Sequence, residues 1–227
     1  THEFRPLLKT VDSMFLDGPG IEIGEVKMAG NAVTFKKSEK GNTFYFNPAL
    51  QWDKEYTMQI SYTAKPSRGI YFIGWNDETT DQHKREWGYV RKQIWTQGQG
   101  VDNRYWIPCY DEGNDKTITE TIITFDRKYQ VLSNGVLQSK KENKDNTITW
   151  HYKMSHPHAT YLVMLGIGEF AVKQGKSSKG TPVNFWYYSD FANRVNATSC
   201  YTEQMVDFME EELMKIVPPV MVQVRCL

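Results

Sequence analysis

The segment over residues 97–100 has the composition of a loop that contacts a ligand. Gln97 and Gln99 alternate there with Gly98 and Gly100. In an extended backbone the two glutamines point to the same side, and the glycines let a ligand come close to the main chain. A glutamine side chain offers a neutral oxygen that suits an ammonium group and an NH2 group that can reach a carbonyl. The pattern predicts a ligand-contacting loop, although a structural turn with ordinary polar residues has the same composition.

Charged residues that follow this segment are expected to stabilise it through ion pairs. Arg104 comes shortly after the glycines, and Asp111 and Glu112 follow in turn. We expect a partly buried ion pair between the arginine and these carboxylates, because burial of a charge requires a partner. In this interpretation the three side chains support the loop and do not themselves react.

The histidines do not form a recognisable metal motif. His2 and Glu3 begin like the His-Glu-x-x-His zinc motif, but Pro6 occupies the place of the second ligand, so the motif is excluded. His156 and His158 are two residues apart, yet a proline separates them and no third ligand is near in sequence. We interpret this pair as polar residues at the entry to a strand.

Composition narrows the class of protein. The 227 residues contain 27 Lys+Arg and 27 Asp+Glu, so the balanced charge argues against a nucleic-acid binder. No apolar run is long enough to span a bilayer, and 13 Tyr, 11 Phe and 7 Trp exclude a disordered chain. The three cysteines, Cys109, Cys200 and Cys226, are too far apart to predict a disulfide framework, and free thiols favour a reducing, cytoplasmic compartment.

Alternation of apolar and polar residues predicts that most of the chain is antiparallel β-structure. The clearest runs place apolar side chains at every second position over residues 56–62, 148–154 and 183–187, which is typical of strands with one face in a core. Turn sequences such as Ser133-Asn134-Gly135 separate the strands. The fold class predicted is mainly β, a saddle-shaped antiparallel sheet or sandwich.

The period changes near residue 192, and one C-terminal helix is predicted over residues 201–216. Its apolar stripe consists of Tyr201, Met205, Phe208, Met209, Leu213 and Ile216, which fits a period of 3.6 residues. Glu210, Glu211 and Glu212 are expected mostly in solvent, and Pro218-Pro219 ends the helix. The residues at 76–86 are polar and aperiodic, so a surface loop is predicted there.

Both ends of the chain have the features expected of a fragment. The sequence starts at Thr1 without an initiator methionine or a signal peptide. The other end follows the predicted helix closely. We therefore expect a fragment of a longer protein, with its first strands missing.

Four sequence motifs follow one another over about half of the chain. They are Pro66-Ser67-Arg68-Gly69-Ile70-Tyr71, then Gln97-Gly98-Gln99-Gly100 with Arg104, Trp106 and Pro108-Cys109-Tyr110-Asp111-Glu112, then Leu132-Ser133-Asn134, and finally Thr160-Tyr161-Leu162 with Gly168-Glu169-Phe170. In this order they resemble the amino-terminal domain of the aminopeptidase N family of zinc metallopeptidases, the group that includes leukotriene hydrolase. The flanking strands extend the resemblance to about residue 216. Gly100 and Gly113 depart from the family pattern, and the tail over 217–227 has no counterpart.

The resemblance implies a β domain over residues 1–191 and the start of a truncated catalytic domain over residues 192–227. It assigns no catalytic or metal residue to this chain, because the zinc motifs belong to the missing catalytic domain. It matches Gln99 to the residue that helps bind the free α-amine of the substrate and Gly100 to a neighbour lining the same pocket, with Gln97 beside them. The chain would supply only substrate recognition and is expected to be inactive alone.

The partners expected from this resemblance are the amino terminus of a peptide and the missing catalytic domain in cis. An isolated fragment would expose the face that meets that domain, so self-association is expected. Two alternatives remain. One is a non-enzymatic interaction domain of the same fold. The other is a carbohydrate-binding β-sandwich with a coplanar, exposed row of Trp75, Trp87 and Trp95.

Overall fold

The computed structural model describes residues 1–75 and 91–212, and the backbone of residues 222–225. The predicted loop over 76–86, Trp87, Cys226 and the end of the predicted helix lie outside the described residues. The chain divides into two compact units. Unit 1 comprises residues 1–72, 94–119 and 156–165, and unit 2 comprises residues 73–93, 120–155 and 166–227.

Unit 1 begins with seven strands in two antiparallel sheets. The first sheet has the order β1-β7-β3-β4 and the second has the order β2-β6-β5. In the second, Thr10 of β2 lies opposite Gln51 of β6, and Asp17 lies opposite Gly41. The strands are β1 (His2–Phe4), β2 (Thr10–Asp17), β3 (Glu22–Met28), β4 (Asn31–Ala32), β5 (Thr34–Lys37), β6 (Gly41–Gln51) and β7 (Tyr56–Thr63).

Side chains from both sheets form the core of unit 1. The buried members are Leu16, Val26, Phe44, Phe46, Leu50 and Met58. They come from strands that alternate between buried and exposed positions, so each sheet buries one face. Burial of these apolar side chains is the main force that holds the two sheets together.

The chain passes between the two units within five strands. These are β8 (Ile70–Ile73), β9 (Gln93–Thr96), β10 (Lys116–Asp126), β13 (Thr147–Ala159) and β14 (Leu165–Gly168). In β13 the predicted alternation is confirmed, because Ile148, Trp150 and Tyr152 are buried. Short 3₁₀ helices follow β9 and β13, over Asn103–Tyr105 and Thr160–Leu162.

Unit 2 contains the other strands and the two α-helices found among the described residues. The strands are β11 (Gln130–Ser133), β12 (Val136–Glu142), β15 (Phe170–Lys176), β16 (Pro182–Tyr188) and β17 (Val222–Arg225). A 3₁₀ helix over Ser189–Phe191 leads to α1 (Ala192–Ser199) and α2 (Thr202–Glu212). The pairing of β16 with β17 is parallel. The predicted fold class, mainly antiparallel β with a C-terminal helix, is confirmed.

The helices pack on β16 through a face that the sequence did not predict. Val195 of α1 and Val206 of α2 join Val183 and Phe185 of β16 in one buried cluster. Glu210, expected in solvent, is only 3% exposed and accepts a hydrogen bond from the Thr181 hydroxyl. The described part of the predicted apolar stripe, Tyr201, Met205, Phe208 and Met209, is exposed instead.

Candidate functional site

The loop of residues 97–100 lies between β9 and the 3₁₀ helix at Asn103–Tyr105 and presents both glutamines to solvent. Its start is fixed where the Gln97 N–H donates a hydrogen bond to the Gly69 carbonyl at 2.9 Å. Gln97, Gln99 and Gly100 are exposed, whereas Gly98 is buried. The predicted loop is therefore accessible to a ligand.

A turn, and not an extended strand, shapes the second half of this loop. Residues 99–102 form the turn, and the Asp102 N–H donates to the Gly98 carbonyl at 3.3 Å. Gly100 has a φ of +86°, a conformation that side chains rarely adopt. The extended backbone predicted for this segment is therefore not found at Gln99 and Gly100.

The two glutamines have different surroundings. The side-chain Oε1 of Gln97 accepts a hydrogen bond from the Gln99 backbone N–H at 3.1 Å, so this amide stabilises the turn. The side chain of Gln99 has no hydrogen-bond partner within residues 1–75 and 91–212. Of the two, Gln99 is the amide whose oxygen and NH2 group are both open to a ligand.

A buried residue that the sequence analysis missed lies against the loop. Asn103 is fully buried, and its NH2 group donates to the carbonyls of Thr160 and Val163 at 2.7 and 3.0 Å. Its Oδ1 accepts from the Trp106 indole N–H at 2.9 Å. No local pattern marks this residue, because two of its partners lie 57 and 60 residues further along the chain.

Arg104 connects the loop to three carboxylates. The predicted pairs are confirmed: the guanidinium lies 3.6 Å from Asp111 Oδ2 and 3.2 Å from Glu112 Oε1. A third carboxylate, Asp17, lies 3.1 Å from Arg104 Nη1, a contact that was not predicted from the sequence. Asp17 is held there by paired backbone hydrogen bonds with Cys109, at 2.8 and 3.1 Å.

The pKa shifts of Arg104, Asp111 and Cys109 are typical of a buried ion-pair network that stabilises the fold. Burial raises the pKa of Asp111, against the lowering effect of its hydrogen bonds and charge interaction with Arg104. Burial lowers the pKa of Arg104, but the charges of Asp17, Glu112 and Asp111 outweigh it, so the pKa is raised overall. Burial, with the charges of Asp111 and Asp17, also raises the pKa of Cys109, which keeps this thiol protonated and poorly nucleophilic.

The residues described do not fit a zinc site. Within residues 1–75 and 91–212, no three His, Cys, Asp or Glu side chains converge to hold a metal. His158 is buried, with Nδ1 3.1 Å from the His156 carbonyl and Nε2 3.3 Å from the Thr119 hydroxyl. His151 instead contacts Glu120 at 3.0 Å. No step of a metal-dependent reaction is therefore assigned to these residues.

Two members of the proposed tryptophan row pack against other rings. Trp95 stacks on Tyr71, with centroids 4.8 Å apart. Trp75 contacts Phe125 edge to face at 5.9 Å, although 38% of it is exposed. Trp87, the third member, lies outside the described residues. The two described rings thus take part in aromatic packing, and Trp75 is partly open to solvent.

A protein-family comparison identifies the fold. The model described as the Peptidase M1 N-terminal domain matches residues 3–162, which is most of the chain. The chain belongs to the M1 peptidase family. The resemblance drawn from the sequence motifs is thereby confirmed, as is the context of aminopeptidases and zinc metallopeptidases.

Curated relatives of the chain are aminopeptidases. The human protein named glutamyl aminopeptidase is 26% identical over 158 residues, which is 66% of this chain and 16% of the relative. The leucyl aminopeptidase of Saccharolobus solfataricus is 26% identical over 160 residues, which is 70% of this chain and 18% of the relative. The chain therefore spans less than a fifth of the length of these two relatives.

Solved structures share the fold of this M1 chain. A crystal structure of an M1 zinc metallopeptidase from Deinococcus radiodurans superposes with a TM-score of 0.76 at 14% identity, over 96% of this chain and 49% of that one. Legionella pneumophila aminopeptidase A, in complex with aspartic acid, gives a TM-score of 0.75 at 13% identity over 94% of this chain and 24% of its own. In the M1 chain itself, no helix of the described residues is long and apolar enough to cross a membrane.

Proposed function

We propose that this chain is the part of an M1 zinc aminopeptidase that recognises the free amino terminus of a peptide, with Gln99 as the residue that contacts the amine. The observation that carries the proposal is the exposed Gln99 amide on a turn that is hydrogen bonded at both ends. A glutamine oxygen accepts a hydrogen bond from an ammonium group without needing a change in protonation. A fixed acceptor of this kind would also set the register of the peptide bond to be cleaved.

Gly100 and Gln97 have supporting parts in this proposal. Apart from its chain neighbours, no atom of the described residues lies within 4 Å of the position where a side chain at Gly100 would begin, so a ligand has room to approach the backbone there. Gln97 holds the turn through the Gln99 N–H. Gln97 would therefore act on the amine mainly through the position of Gln99.

Hydrolysis itself is assigned to the rest of the full-length protein. The chain spans 49% of the Deinococcus M1 structure and 16% of human glutamyl aminopeptidase, and its described residues offer no zinc site. We therefore propose that the catalytic zinc is held by a domain joined to this chain in cis. Alone, the chain is expected to show no peptidase activity.

Substitution of Gln99 in the full-length protein tests the proposal. Q99A is expected to raise KM and lower kcat for aminoacyl p-nitroanilides, and to reduce kcat/KM about ten- to hundredfold, the usual cost of losing a hydrogen bond to a charged group. Q59A is the matched control, because Gln59 is an exposed glutamine of β7. Kinetics of Q99A that equal those of Q59A would refute the assignment.

A separate assay tests the expected inactivity of the chain alone. The purified chain is incubated with zinc and a panel of aminoacyl p-nitroanilides, with and without a chelator. We expect no turnover above the rate of free zinc. Robust turnover that the chelator abolishes would place a catalytic metal site in this chain and contradict the division of labour proposed.

A further inference from the structure

A buried amide lies against the loop that carries Gln99. We infer that Asn103 is a positioning residue, which sets the place of the Gln99 amide by fixing the backbone at Gly98. The inference rests on the proposed function, because it gives Asn103 a part in the same amine-binding site. It adds a residue that does not touch the substrate, since Asn103 is fully buried.

The hydrogen bonds of Asn103 leave its side chain a single orientation. Two backbone carbonyls, those of Thr160 and Val163, face its NH2 group. The indole N–H of Trp106 faces its oxygen. Exchange of the amide oxygen and nitrogen would place like groups against each other at all three contacts, so the amide orientation is defined.

Gly98 transmits the position of Asn103 to the loop. A Cβ built at Gly98 would lie 2.5 Å from Asn103 Nδ2 and 2.5 Å from the Tyr161 carbonyl oxygen. The Gly98 backbone therefore rests directly on the amide and on the 3₁₀ helix that contains Tyr161, with no space for a side chain. Because Gln97 and Gln99 flank Gly98, movement of this contact displaces both glutamines.

A double-mutant cycle in the full-length protein tests the inference. N103D keeps the size of the side chain and the acceptor for Trp106 but loses the NH2 donor to the two carbonyls. We expect N103D to lower kcat/KM about tenfold in the wild-type background and by less than about twofold in the Q99A background, since coupled residues are not additive. A merely structural residue would lower kcat/KM by the same factor in both backgrounds.

A second variant disturbs the contact between Gly98 and Asn103 by a change in the loop. G98A adds the Cβ that would collide with Asn103 and is expected to reproduce the non-additive loss with Q99A. G113A is the matched control, because the nearest atom of the described residues that a Cβ at Gly113 would meet belongs to Tyr161, at 4.0 Å. If N103D does not fold, the G98A cycle tests the contact of Gly98 with Asn103 and Tyr161, and losses that multiply independently with Q99A overturn the inference.

The outcomes separate the inference from the proposed function. If Q99A itself leaves the kinetics unchanged, the proposed function fails and the inference fails with it. If Q99A is impaired but the effects of N103D and G98A multiply independently with it, the proposed function stands and the positioning role of Asn103 is overturned.

Discussion

The side-chain oxygen of Gln97 accepts a hydrogen bond from the backbone N–H of Gln99 at 3.1 Å. This relationship divides two residues that look equivalent in the sequence. One amide closes the turn, and the other extends from it into solvent. The two alternating glutamines therefore differ in their hydrogen bonding, because the Gln97 oxygen is engaged within the turn.

The turn hydrogen bond predicts a difference in amide exchange. Q97A removes the acceptor, so the Gln99 N–H is expected to exchange with solvent about three- to tenfold faster, in line with the loss of one neutral hydrogen bond. Hydrogen exchange followed by NMR measures this rate at pH 6. An exchange rate of the Gln99 N–H in Q97A that equals the wild-type rate would show that the hydrogen bond contributes nothing.

Arg104 is expected to be a major determinant of stability. R104A leaves the buried carboxylates of Asp17 and Asp111 without their cation, and loss of one partner of a buried pair costs about 3–5 kcal/mol. The free energy of unfolding of R104K is expected to lie between those of the wild-type chain and R104A, because an ammonium group cannot reproduce the planar set of donors of a guanidinium. Urea unfolding measures both variants.

The Arg5–Glu55 pair provides the control for Arg104. Both of its side chains are more than half exposed, so R5A is expected to lower the free energy of unfolding by at most about 1 kcal/mol. A loss for R104A that is no larger than that for R5A would contradict the structural role assigned to Arg104.

His2 predicts a dependence of stability on pH. Burial, followed by the positive charge of the amino terminus, lowers the pKa of His2 to about 4, against a raising effect of its hydrogen bond with Pro108. The unfolded chain takes up a proton on His2 below about pH 6.5, while the folded chain does not do so until about pH 4. The contribution of His2 to the free energy of unfolding is therefore complete above pH 6.5 and is lost as the pH falls towards 4.

Unfolding of H2Q measures this contribution. The stability of the wild-type chain is expected to fall by roughly 2–3 kcal/mol more than that of H2Q between pH 6.5 and pH 4. H156Q, at an exposed histidine, should retain the wild-type slope. Equal slopes for H2Q and the wild-type chain would show that His2 titrates alike in both states.

The exposed stripe on α2 predicts self-association of the chain. Tyr201, Met205, Phe208 and Met209 place four large apolar side chains on one exposed helix face, where association with a second copy would remove apolar area from water. M205E/F208E is expected to yield monomers at concentrations where the wild-type chain forms larger species in light scattering. W52E changes an exposed aromatic residue of unit 1, and this variant should still form the larger species. A wild-type chain that stays monomeric at high concentration would contradict the prediction.

Most strands and the family membership could be predicted from the sequence alone. Alternation placed Ile148, Trp150 and Tyr152 in a core because successive side chains of a strand point to opposite faces. The spacing of Arg104, Asp111 and Glu112 was short enough for their pairing to be predicted before the fold was known. The ordered motifs identified the M1 family because several weak signals in one order support a single fold.

The contacts between distant residues and the covered face of α2 depend on packing across the fold. Asn103 contacts carbonyls 57 and 60 residues away, and Asp17 accepts a hydrogen bond from the Asp111 N–H 94 residues away, so no local pattern could reveal either. The period of α2 shows which side chains share a face, but the hydrophobic effect is non-directional. Only the packing of Val206 and Glu210 on the sheet side determines that the face with Phe208 is left in solvent.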